Sequence, residues 1–376
     1  MVETASSEER ERLVSDFIRL CEIESPSGRE RAMADVVAAD LRSLGLEPAE
    51  DDTAAATGSD AGNLLATIPG PEGSRTVLLC AHIDTVPLAA PVEVARHDGR
   101  LSNRHQAILG ADNKAAVATI LAAARRLVAA RPPVGVELLF TTSEELALRG
   151  AKAFDTSRLR ADRGFVFDHA SPIGEVVVAS PTYYRLEARF RGRAAHAGIR
   201  PEAGSNAIAA AARAIAAMRL GRIDGETTAN VGRIEGGTAA NVVAERCTVE
   251  LETRSLDDAR AGVMVSEMVD AAAGAASDSS CDVDTSVERL FRGYRLARTT
   301  PVVETAAAAL SSCGIEPVYI ASGGGSDANA FVAAGLPTVN LANGTEANHQ
   351  PDESVTVDAL ETMLDVTLRI VAASAG

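Results

Sequence analysis

The feature that most constrains the fold is a change in the period of the apolar residues along the chain. Up to about 179, and again from about 290, they come in short unbroken runs, such as 76–81 (TVLLCA), 134–140 and 164–167, separated by helical stretches. An unbroken run of this length suits a strand covered on both faces, and its alternation with helices predicts a mainly parallel sheet with helices on each side. Between 180 and 289 the pattern differs. Tyr184, Leu186, Ala188 and Phe190 alternate with Arg185, Glu187, Arg189 and Arg191, and Cys247, Val249, Leu251 and Thr253 alternate again. Period-two alternation marks strands with one wet face. The segment reads β-α-β-β-α-β, the ferredoxin-like order. The expectation is an α/β fold of two domains, one assembled from 1–179 and 290–376 and an α+β domain inserted at 180–289.

Helical periodicity places the remaining elements. Leu13, Val14, Phe17, Ile18 and Cys21 share a face of a helix over 7–21, and Met33, Val36, Val37, Leu41 and Leu44 share a face of the next. Further helices are expected over 115–129, 206–218, 256–273, 302–312 and 352–373, with strands near 229–234, 283–287, 317–320 and 337–341.

Composition narrows the function classes. Lys plus Arg is 36 against 52 Asp plus Glu, a net charge of −16, which repels phosphate backbones and argues against a nucleic-acid partner. The five cysteines are scattered and form no Cys-x-x-Cys, which argues against a disulfide framework or a structural zinc site. The N-terminal stretch is charged and amphipathic, without a signal-peptide core, and no apolar run reaches the ~18 residues that span a bilayer. The expectation is a soluble, reduced, cytoplasmic protein without a membrane partner.

Six residues then stand out in order: His82, Asp112, the pair Glu144-Glu145, Asp168 and His349. Alone, each has an ordinary reading as a surface His, a capping Asp or an acidic helix start. Together, each at the end of an apolar strand or in the loop after it, they lie where open α/β sheets build their sites. Two His and three acids can hold two divalent cations, with one Glu left as a base, which is equipment for splitting an amide bond with a metal-bound water. Asp84, two residues beyond His82, suits the carboxylate that fixes a ligating imidazole's tautomer. The Gly323-Gly324-Gly325 loop offers main-chain N–H groups to a substrate carboxylate or carbonyl.

The stretches LLCAHIDTVP, ILGADNKAAVA, FTTSEELALRGAKAF, FVFDHASPIGE, AHAGIRPEAGSNAI, EGGTAANVVAE, SGGGSDANAF and NGTEANHQPDESV cover nearly the whole chain. The chain they compose resembles the di-zinc metallopeptidase family that includes peptidase T, glutamate carboxypeptidase and aminoacylase, and the Gly-Ala-Asp-Asn-Lys loop resembles the peptidase T branch most. The resemblance implies that His82 and Asp168 hold one metal and Glu145 and His349 the other. Asp112 would bridge them, with a cis Asp112–Asn113 peptide, and Glu144 would be the general base. The metals are expected to be zinc, with cobalt or manganese as substitutes.

It further implies that the inserted domain is a lid and homodimer contact. His196 of the lid would stabilise the oxyanion, and Asn241 and Arg254 would bind a short peptide substrate. Gly324 and Gly325 would also touch it. One departure is Ser322, near the place where several branches carry an Arg that clamps a substrate carboxylate. The expected activity is release of the N-terminal residue from tripeptides. An N-acyl amino acid deacylase, a carboxypeptidase, and a metal- or peptide-binding protein without turnover stay open as alternatives.

Overall fold

The computed structural model describes residues 5–375. It divides into two compact units, one running to Ala179 and resuming at Leu296, the other Ser180–Arg295. The first unit resumes later than the change in periodicity at 290 suggests. The strand Asp282–Phe291 goes on pairing with Thr182–Arg191 as far as Phe291 opposite Tyr183, although its own alternation fades earlier.

The first unit is built on a sheet with the order Ala49–Glu50, Leu64–Ile68, Gly135–Thr141, Thr76–His82, Arg163–His169, Thr338–Ala342, Glu175–Ser180, with Val318–Ala321 beside the last. The four strands from Gly135–Thr141 to Thr338–Ala342 are mutually parallel, and Leu64–Ile68 and Glu175–Ser180 flank them antiparallel. Every residue of Gly135–Thr141 is buried, as a strand covered on both faces requires. The helix Ser7–Cys21 starts on a reciprocal Ser6–Glu9 capping box and buries Leu13, Val14, Phe17, Leu20 and Cys21. It packs with Val357–Ala373 on the Ala-rich helix Ala111–Ala130, whose small side chains let neighbours approach closely. One apolar cluster runs through these layers, from Phe17 and Val37 to Phe140, Phe165 and Ile370.

Two local expectations are corrected. The helix expected from 115 already begins at Ala111, but Asp112 and Asn113 have non-helical dihedrals and a cis peptide between them, as the resemblance implies. The last helix starts at Val357, not 352. Ser354–Thr356 is instead a strand, with Val355 opposite Leu101, in a small sheet with Val94–His97, Arg100–Asn103 and Thr345–Glu346. Strands this short leave no periodic signal in the sequence.

The second unit is an antiparallel sheet, ordered Gly221–Arg222, Thr227–Gly236, Arg246–Ser255, Thr182–Arg191, Asp282–Phe291. Apart from the two-residue edge strand, this is the ferredoxin-like arrangement. The helices Ala207–Ala217 and Asp258–Asp278, capped by Asn206 and Asp257, bury Ala210, Ala214, Met264 and Met268 against Leu186, Phe190, Val249 and Leu251. Among the described residues no helix is long and apolar enough to cross a membrane. All five cysteines are unpaired.

Candidate metal centre

Parallel strands deliver the site. His82 ends Thr76–His82, Glu144 and Glu145 follow Gly135–Thr141, and Asp168 is next to last in Arg163–His169. His82 pairs opposite Thr141 and Cys80 opposite Val166, so the three strands finish together. Thr338–Ala342 runs parallel beside them and leads to the loop carrying His349. Asp112 enters from the first turn of Ala111–Ala130.

The geometry centres on Asp112. His82 Nε2 lies 3.2 Å from Asp112 Oδ1 and 3.5 Å from Asp168 Oδ1. His349 Nε2 lies 3.1 Å from Asp112 Oδ2 and 2.9 Å from Glu145 Oε1. Asp112 therefore turns one oxygen to each histidine. Donor atoms of His82, Glu144 and Asp168, and of His82, Asp112 and Glu145, form two groups whose members lie within 4.8 Å of one another. Distance alone does not separate Glu144 from the ligands. Both main-chain N–H groups donate to Asp84, and the Glu145 carboxylate is further tied to His349.

Asp84 is fully buried and does more than the sequence suggests. His82 Nδ1 is 3.0 Å from its main-chain oxygen and 3.3 Å from its carboxylate. The same carboxylate accepts the Ser27 hydroxyl at 2.7 Å and the Glu145 N–H at 3.2 Å.

Burial works against charge on all these acids. It pushes Asp168 up to about 8 and Glu144 well above the usual carboxylate range, the latter helped by the Asp168 charge. Burial also raises Glu145. For Asp112 burial is outweighed by hydrogen bonds from His349 and His82, which hold it low. Asp112 and Glu145 in turn raise His349 to about 10. For His82, burial opposes the charged form, but Asp112, Asp168 and Asp84 outweigh it and raise the imidazole. Positive charge on the imidazoles is thus what this nest of acids demands, and divalent cations would supply it in place of those protons. Imidazole nitrogen and carboxylate oxygen are donors that fit such ions.

Several residues that hold the site carry no signal recognised in the sequence. Four successive N–H groups are received by three buried side chains. Thr142 donates to Asn63 Oδ1 (3.1 Å), Ser143 to Glu30 Oε1 (3.0 Å), and Glu144 and Glu145 to Asp84. Ser143 takes a positive φ of 52°, an uncommon geometry for a residue with a Cβ. Asn340 clasps Asp168, accepting its N–H at 2.9 Å and donating to its carbonyl at 3.1 Å. Lys114 is buried and donates to the carbonyl of Ile23 at 2.5 Å, and burial lowers its ammonium to about 8. Glu30 reads in the sequence as an ordinary acid at a helix start, and only the tertiary fold brings it to Ser143.

The remaining expected residues are placed as follows. Gly324 and Gly325 lie in the loop after Val318–Ala321, where the Gly324 N–H is turned back onto Ser322 Oγ at 3.0 Å. His196, Asn241 and Arg254 belong to the second unit. His196 is exposed, and the Ala197 N–H donates to the Asn241 carbonyl at 2.9 Å, which sets these two loops side by side. The Arg254 guanidinium stacks 4.1 Å from the Tyr183 ring centroid and pairs with Glu252 at 3.2 Å.

The metal-free protein should be sensitive to alkali. A group whose pKa is raised by folding stabilises the fold fully below its unfolded value and loses that contribution as pH rises through its folded value. For Asp168 the loss runs from about 3.8 to about 8, and for His349 from about 6.5 to about 10. The Tm of chelator-stripped protein should therefore fall as pH rises across this window, and divalent metal should flatten the slope. A Tm independent of pH in stripped protein would contradict these shifts.

Known proteins resemble this chain over most of its length. Residues 78–373 match the model of peptidase family M20/M25/M40. The chain superposes on the crystal structure of aminopeptidase PepT from Bacillus cereus ATCC 10987 with a TM-score of 0.89 and 39% identity, covering 98% of this chain and 99% of that one. For a tripeptidase from Staphylococcus aureus subsp. aureus Mu50 the TM-score is 0.93 at 32% identity, covering 97% and 98%. The Bacillus subtilis (strain 168) protein YqjE is 36% identical over 361 residues, 96% of this chain and 97% of that protein. With its acidic and histidine residues gathered at the ends of parallel strands and the family match spanning most of its length, the chain belongs to peptidase family M20/M25/M40.

Proposed function

We propose that this chain is a metal-dependent hydrolase of short peptides that releases the N-terminal residue, with tripeptides as preferred substrates. The observation that carries the reading is the convergence of His82, Asp112, Glu144, Glu145, Asp168 and His349 at one sheet end. Its likeness to structures described as an aminopeptidase and a tripeptidase supports the choice of substrate end and length. His82 and Asp168 are assigned to one divalent cation, Glu145 and His349 to the other, and Asp112 to both. Zinc suits the donors best, with cobalt or manganese as substitutes. Bound, such ions supply Lewis acidity: they lower the pKa of water towards about 7 and polarise a carbonyl.

The chain's own residues do the rest. Glu144 takes a proton from the attacking water and delivers it to the leaving amine. General acid–base help of this kind is worth about 10²–10⁴-fold. Asp84 aims both glutamates through their main-chain N–H groups. The second unit is read as a lid in which His196 stabilises the oxyanion and Asn241 and Arg254 bind substrate. Gly324 and Gly325 are assigned to the substrate's far end. The unpaired cysteines fit a reducing, cytoplasmic setting.

Glu144→Gln should keep its metal and lose at least about 10²-fold in kcat, whereas Glu145→Gln should lose metal. Metal analysis and steady-state kinetics decide, and the reverse pattern exchanges the two roles.

The lid is also proposed to mediate a homodimer. Thr227–Gly236 leaves much of its outer edge unpaired, and Ile234 on it is 49% exposed. Mixing inactive His196→Ala with inactive Glu144→Gln chains should restore part of the activity. A fully active monomer by light scattering would overturn this.

Substrate choice is tested by comparing a free tripeptide, its N-acetyl form, a dipeptide and an N-acetyl amino acid. The free tripeptide should have the highest kcat/KM, since a site built to pair an amine rejects analogues that lack it. A highest value for the N-acetyl amino acid would make the chain a deacylase.

A further inference from the structure

The loop between Thr345–Glu346 and Ser354–Thr356 grips Asp112 from two directions. From one, His349 Nε2 and the Asn348 side-chain amide reach Asp112 Oδ2 at 3.1 and 2.9 Å. From the other, Glu353 receives the main chain on which Asp112 is mounted. Glu353 Oε2 accepts the N–H groups of Leu109 and Gly110 at 2.7 and 2.8 Å, and Oε1 accepts the N–H of Asp112 itself at 2.9 Å. Glu353 is 1% exposed.

The geometry of that segment explains why it needs an outside acceptor. Gly110 has a φ of 75° and Asp112 a ψ of 103°, so the chain there is not helical. The first N–H groups of a helix have no intrahelical partner, and buried donors left unmet are costly. One carboxylate meets three of them. The loop is itself tightly closed: Glu346 pairs with Ser354, Gln350 N–H donates to the Ala347 carbonyl at 3.1 Å, and Glu353 N–H to that of Gln350 at 3.0 Å. A shift of Glu353 would move His349 and the Asp112 main chain together.

We infer that Glu353 is a positioning residue that locks the main chain of Asp112 to the His349 loop and so sets the separation of these two groups, which share one cation. The inference rests on the metal assignment proposed above. A side chain that merely filled space or capped a turn would affect stability. One that sets ligand spacing must also affect metal affinity in a chain that remains folded, because outer partners of ligands tune affinity by about 10–100-fold.

The experiment titrates the full chain with Zn²⁺ against a competing indicator, with stoichiometry by elemental analysis and folding by circular dichroism. Glu353→Gln keeps the shape but replaces one acceptor oxygen with an amide NH₂ donor. It should bind Zn²⁺ about 10–100-fold more weakly and lose kcat more than KM at saturating Zn²⁺, with an unchanged spectrum. Asp352→Asn, an exposed neighbour with the same charge change, should behave as the unaltered chain does. Glu353→Asp, which keeps the charge and shortens the reach, should also lose affinity, and it carries the test if Glu353→Gln does not fold. Undiminished affinity and kcat in a folded Glu353→Gln or Glu353→Asp variant would overturn this inference alone. Failure of the unaltered chain to bind Zn²⁺ would overturn the metal reading and this inference together.

Discussion

Everything at this sheet end follows from one electrostatic constraint: several carboxyl groups are buried within contact distance of one another. Left to themselves they would repel, take up protons or swing out to solvent. They do not swing out, because the segments that bear them are tied down through their main-chain groups. Asp168 is clasped by Asn340, and Glu144 and Glu145 are aimed by Asp84. The repulsion is held within a fixed frame, and it is relieved by protons on the carboxyls or by cations.

The frame uses one device repeatedly. Where the main chain leaves regular structure, its N–H groups lose their partners, and a buried acceptor from a distant part of the chain receives them. Glu30 and Asn63 do this for the Thr142–Ser143 turn, Asp84 for Glu144–Glu145, and Glu353 for Leu109–Asp112. These acceptors carry negative charge or lone pairs into the same region, which deepens the local negative potential. Irregular backbone and affinity for cations therefore arise together from the same residues.

Much of this was legible in the sequence, and the reason is physical. His82, Glu144, Asp168 and His349 follow apolar runs whose length and burial announce central strands, and parallel strands must bring their carboxyl ends to one side. Asp112 instead comes from the head of the Ala-rich helix that follows a loop. The ferredoxin-like order of the second unit was legible because its strands are wet on one face and so alternate. What the sequence concealed were contacts with no period. Glu30 begins a helix as many acids do, and Glu353, although it lies in the same stretch as His349, carries no spacing that marks it as an acceptor for a distant main chain. The strands Val94–His97 and Ser354–Thr356 are too short to show alternation, and the last of them displaced the expected start of the final helix. The fold at that level is decided by which distant loop a side chain can reach.

The pairing of the first and last long strands of the second unit has a consequence for how the chain can fold at all. Thr182–Arg191 and Asp282–Phe291 lie side by side and antiparallel, with Tyr183 opposite Phe291, so the insertion leaves its host and returns to it at nearly the same point. The entropy of closing a loop rises only slowly with its length, and a loop whose ends are already held by their own hydrogen bonds adds almost nothing further. To the parallel sheet, the whole second unit is topologically no more than the tip of a hairpin. Its strands can change in length without altering the distance that the host must bridge, so the folding of the host does not depend on the size of the insertion.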